Sequence, residues 1–135
     1  MIPEADAFMN IAAGRLLSDI APNMAPGYSQ GSASTLAMVM ILAAQEYGRA
    51  AETRAWENAQ MRTLLARGGV ALPAPAEGLS VAALNAENAD LSRALIALHA
   101  GGEDGTAPDS KALEPAILAF LKEAAQRRRL YLPVM

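Results

Sequence analysis

The longest run without a helix breaker limits what this chain can fold into. From Ser34 to Arg67 there is no proline, and Gly48 is the lone glycine. The run follows a Gly/Ser segment, residues 27–32, where Ser32 or Ser34 can cap free N–H groups. It stops at Gly68-Gly69, where a glycine can take the left-handed conformation that ends a helix. At about 1.5 Å per residue such a helix spans roughly 50 Å. The remaining segments are expected to pack around it.

The two halves of this helix differ. On a helical wheel centred on Tyr47, the residues Leu36, Met40, Ala43, Ala44, Ala51 and Leu65 fall within about 60°, a core stripe. In the first half Met38, Val39, Ile41 and Leu42 cover the other faces, so residues 36–44 are apolar all round. A helix of that kind is surrounded by protein, and the segment is far short of the roughly 20 residues a bilayer needs. In the second half Glu46, Arg49, Glu52, Glu57 and Gln60 are expected to form a wet face. Ile41, Ala44, Gly48, Ala51 and Ala55 make a stripe of mostly small side chains that lets another backbone approach. Trp56 lies on the polar side, as an interface anchor often does. The candidate interface is therefore Met38, Ile41, Leu42, Ala44, Gly48 and Trp56.

Three further helices are expected. The first covers about 3–20, with Pro3 in its first turn, Pro22 beyond its end, and Ala5, Phe8, Met9, Ala12, Leu16 and Ile20 at helical spacing. After an extended connector at 70–78, a third helix covers about 80–99, capped by Ser80 and stopped by Gly101-Gly102. Its Val81, Asn88 and Leu95 take heptad a positions, and Leu84, Leu91 and Leu98 take d positions, which reads as bundle core. A polar acidic loop follows. The fourth helix covers about 112–129, with Pro115 in its first turn and Leu113, Ile117, Phe120, Leu121 and Ala124 facing inward. The apolar tail, residues 130–135, is expected to fold back or to dock on a partner.

The fold class implied is all-α: one domain over residues 1–135, a bundle of about four helices around the long central one. The 135 residues suffice for a real core, and abundant alanine favours closely packed helices. There is no cysteine, which fits a reducing compartment, and the acidic N-terminus does not read as a secretion signal. A net charge of −3 argues against general nucleic-acid binding. Charge is uneven: residues 68–110 set Arg93 against six carboxylates, whereas residues 111–135 are basic and end in Arg127-Arg128-Arg129. That triplet reads as a solvated helix end matched to the dipole.

Motifs for chemistry are sparse. Gly27-Tyr28-Ser29-Gln30-Gly31 matches G-x-S-x-G and locally resembles the nucleophile elbow of α/β-hydrolases, and Ser29, Asp90 and His99 follow that family's order. The elbow requires a buried strand before the serine, and here Pro22 to Pro26 precede it, so the match is read as chance. His99 is the only histidine and cannot supply the paired Glu-x-x-His motifs of a bundle metal site. No catalytic, cofactor or metal residues are assigned. The expected function is a non-enzymatic, cytoplasmic interaction protein without a membrane span, pairing with itself or another helical protein through the central helix. The alternative is a bundle that binds a small molecule in a Met/Ala-lined cavity, since seven methionines make a soft lining available.

Overall fold

A computed structural model describes residues 4–132, and every regular element in them is helical, as the all-α reading requires. The chain divides into two compact units, one of residues 4–49 and 130–132, the other of residues 50–129. Pro3 and the last three residues of the tail lie outside the described residues.

The first unit is a helical hairpin. Helix α1 (Ala5–Arg15) runs on through a π-helical turn, Leu16–Ile20, and a 3-10 turn, Ala21–Asn23, that contains Pro22. Helix α2 (Tyr28–Tyr47) starts at Gly27, whose φ of 148° suits only glycine and whose carbonyl accepts the Gly31 N–H at 3.1 Å. The helices are antiparallel. Gln30 Nε2 donates to the Ala21 carbonyl at one end (3.0 Å), and at the other a Cβ on Gly48 would lie 3.5 Å from Asp6 Oδ2.

The seam between α1 and α2 is made of alanines: the buried apolar residues of this unit are Ala13, Ala21, Ala37 and Ala44. This corrects the expected phase of both helices. Phe8, Ile20, Leu36 and Tyr47, taken as inward, are exposed. The reason is steric, because two helices approach closest where side chains are smallest. The expected return of the tail is seen in its backbone. Gln45 Nε2 donates to the Tyr131 carbonyl (2.7 Å) and Gln45 Oε1 accepts the Tyr131 N–H (3.0 Å), while Leu130, Tyr131 and Leu132 keep their side chains in solvent.

The long helix expected over 34–67 is two helices. The Gly48 N–H bonds the Ala44 carbonyl, the Arg49 N–H reaches only three residues back to Glu46, and a new helix, α3, covers Ala50–Arg67. The break falls at the glycine, the weakest helix former in the run.

The second unit joins α3, α4 (Val81–Asp104) and α5 (Glu114–Arg127), with a 3-10 turn, Pro108–Leu113, before α5. Helix α3 ends as read, with Gly69 at φ 68° and the Val70 N–H closing back to the Leu65 carbonyl. Ser80 caps α4, its hydroxyl accepting the Ala83 N–H at 3.1 Å. The core holds Met61, Leu64 and Leu65 of α3, Leu91, Leu95 and Leu98 of α4, and Leu113 and Ile117. The leucine spacing of α4 thus marks bundle core, although Val81 is exposed.

Helix α4 also passes the Gly101-Gly102 expected to stop it, and ends at Gly105 with φ 80°. Those two glycines permit close approach instead. A Cβ on Gly102 would lie 2.6 Å from Ser110 Oγ and 3.1 Å from the Lys111 backbone nitrogen, and Ser110 Oγ donates to the Leu98 carbonyl there. None of the described helices is long and apolar enough to cross a membrane.

Candidate functional site

Two features stand out, one in each unit. In the first unit, α2 turns Tyr28, Ser32, Thr35, Leu36, Val39, Ala43 and Tyr47 to solvent, on the side away from the Ala37 and Ala44 seam. Tyr28 is 92% exposed, and Leu36 and Val39 are each 54% exposed. Tyr28, Thr35, Leu36 and Val39 flank a shallow groove, and Phe8 and Ile11 are exposed on α1. Residues 20–45 hold no charged side chain at all.

Of the candidate interface residues, Met38, Ile41 and Leu42 are half-buried beside the seam, Ala44 is buried within it, and Gly48 is exposed. Trp56 belongs to the other unit and has partners there. Its ring stacks on Phe120 with centroids 5.8 Å apart, and the Arg127 guanidinium carbon sits 4.1 Å from its centroid. The stronger row, Tyr28, Leu36 and Val39, was missed because the wheel was centred on Tyr47, on the solvent side.

In the second unit a polar layer crosses α3, α4 and α5. Glu57, expected on a wet face, is 1% exposed. Arg128 Nε and Nη2 donate to its two oxygens at 2.5 and 2.6 Å, and Asn88 Nδ2 donates to it at 3.0 Å. Asn88 also donates to Asn58 Oδ1, and Asn58 Nδ2 donates to Glu87 Oε2 and to the Leu84 carbonyl. Arg62 Nε donates to Glu87 Oε1 at 2.7 Å and its Nη2 donates to the Pro73 carbonyl, which ties the connector to α3. Burial alone would raise the Glu87 pKa. Hydrogen bonds from Arg62, the Ala76 backbone and Asn58, with the Arg62 charge, outweigh it and hold the carboxyl below its ordinary value. The Asn88 that heptad spacing placed among the core leucines is satisfied inside the chain.

Beside this layer lies a cleft of about 260 Å³ between α3, α4 and α5. Its walls are apolar, Met61, Leu95, Phe120 and Ala124 among them, and Glu57, Asn88, Ser92 and Arg128 stand at its polar end. The Arg127–Arg129 run is therefore more than a solvated helix end: Arg127 covers Trp56 and pairs with Glu123, and Arg128 neutralises a buried carboxylate.

The hydrolase-like motif lacks the strand that an elbow requires. Ser29 lies in the first turn of α2, no strand exists among the described residues, Asp90 is paired with Arg93, and His99 Nε2 is 3.9 Å from Glu103. His99, Glu103 and Glu114 bring ligand atoms within 4.8 Å of one another. Two carboxylates around one histidine do not by themselves make a metal centre, and the Glu103 side chain is 67% exposed. No family model, no curated protein and no solved structure matches this chain.

Proposed function

We propose that this chain is a non-enzymatic interaction protein that pairs with a second copy of itself through the solvent face of α2. The observation that carries the reading is the inverted hairpin, in which alanines are buried while Tyr28, Leu36 and Val39 are exposed. An apolar row of this kind marks an interaction surface. A second copy fits it best on charge. A two-fold contact sets the same patch against itself, so any net charge would repel, and residues 20–45 carry none. The same lack of lysine and arginine weighs against an anionic membrane surface, which draws helices with a basic polar face. A stable two-fold contact needs about 1,200 Å² in all, about 600 Å² from each copy. The absence of cysteine supports a reducing, cytoplasmic setting.

Sedimentation over a concentration series tests the proposal. The wild-type chain is expected to sediment as a dimer in the micromolar range, and Val39→Glu as a monomer with unchanged helix content. A wild-type chain that stays monomeric at high micromolar concentration refutes it, as does a Val39→Glu dimer of undiminished stability.

A further inference from the structure

We infer that the cleft between α3, α4 and α5 is a binding site for a small uncharged amphiphile, an aromatic or short-chain alcohol, with Ser92 as its polar anchor. This site lies wholly in the second unit and does not depend on self-association.

Size comes first. A dry apolar cavity of about 150 Å³ in a protein interior takes up benzene. The cleft, at about 260 Å³, has room for a ring and a short substituent. Its rim is formed by Ile96 and Leu121, both exposed, so a ligand has a way in from solvent.

The polar end decides the head group. Glu57 already accepts two bonds from Arg128 and one from Asn88, and the Arg54 guanidinium lies 3.8 Å from it, so its negative charge is taken up within the chain. A ligand carboxylate would be brought beside the Glu57 carboxylate, and a ligand ammonium beside the Arg128 guanidinium. Either like-charge contact disfavours binding. The Ser92 hydroxyl is committed differently. It donates to the Met61 sulfur at 3.6 Å, and a thioether is a weak acceptor. A ligand hydroxyl placed there offers an oxygen in place of the sulfur and can donate in return. The apolar wall then covers the rest of the molecule, as pockets with few, well-placed polar groups do.

The test uses three probes of one shape and different charge, benzyl alcohol, benzoate and benzylammonium, titrated into the full-length chain and followed by amide NMR. Benzyl alcohol is expected to give saturable shifts centred on Ser92, Ile96 and Ala124, and to bind at least about tenfold more tightly than either charged probe. Ser92→Ala is expected to weaken the alcohol about three- to tenfold, and Ala124→Phe, which fills the cleft, to abolish the shifts. Equal affinity for all three probes overturns the assignment, as do shifts confined to α2 or no saturation at any soluble concentration. Wild-type binding by Ser92→Ala overturns the anchor role of the hydroxyl, and that variant removes only the weak bond to Met61 while Leu91, Leu95 and Leu98 stay in the core.

Discussion

Removing Arg128 should be far more damaging than removing its neighbour Arg127, although the two are adjacent in one basic run. Arg128→Ala takes away two charge-assisted bonds, at 2.5 and 2.6 Å, from a carboxylate that is 1% exposed. What remains near Glu57 is the Asn88 amide at 3.0 Å and the Arg54 guanidinium at 3.8 Å. Stranding a buried charge costs about 3–5 kcal/mol, and the 46% exposure of the Arg128 side chain argues for the lower end, about 3 kcal/mol. At about 4–8 °C per kcal/mol for a unit of this size, the midpoint of thermal unfolding should fall by roughly 12–24 °C. Arg127→Ala loses a stacking contact with Trp56 and a surface pair with Glu123, together about 1 kcal/mol. The decisive variant removes both charges. Glu57→Met with Arg128→Leu removes the buried carboxylate together with its main partner, leaves Arg54 its bond to Asn85, and should be less damaging than Arg128→Ala alone. Urea and thermal unfolding followed by far-UV circular dichroism measure all three. If Arg128→Ala is no worse than Arg127→Ala, or the double variant is worse than Arg128→Ala alone, the burial argument fails.

Gly102→Ala should destabilise by about 2 kcal/mol, because its Cβ would meet Ser110 Oγ and the Lys111 backbone. Gly48→Ala meets only ordinary contacts in a helical conformation and should be neutral or stabilising by up to about 1 kcal/mol; urea midpoints separate the two, and equal effects would contradict the packing described. Glu87 has a folded pKa below its ordinary 4.5, so its stabilising share is present above that pH and is lost as the pH falls through the folded value. Glu87→Gln should therefore lower stability at pH 7 and flatten the acid limb below about pH 4.5, and an unchanged limb would rule out the Arg62 and Asn58 contacts as its cause. Ser80→Ala should cost about 1 kcal/mol through loss of the α4 cap, measured by the same unfolding curves.

What the sequence made legible was local chemistry. Ser80 starting a helix, Pro115 confined to a first turn, Gly69 ending one and the leucine row of α4 each act within a few residues, and each is where it was read. What was not legible depended on partners far along the chain. Glu57 reads as a solvated carboxylate until its partner, 71 residues away, is known. Gly101 and Gly102 read as a stop until the 3-10 turn that packs on them is placed. Neither has a signature within its own helix, since the same residue types serve both roles.

The α1–α2 hairpin failed for another reason, which bears on its function. Helical periodicity assumes that the largest apolar side chains define the buried side. In this unit the smallest do, and residues 36–44 are apolar all round because α1 takes one side of them while Leu36 and Val39 face outward. Packing on α1 and the turns that follow it uses one apolar side of α2, and α2 has more than one. The excess is the pattern expected if a second surface covers it, and a phase set by Ala37 and Ala44 leaves the Tyr28, Leu36 and Val39 row for that surface. Polar substitution at Val39 should leave the hairpin's helix content intact and act on association, whereas Ala37→Leu, inside the seam, should disrupt the hairpin itself. The reverse pattern would mean that the buried and exposed sides of α2 had been assigned the wrong way round.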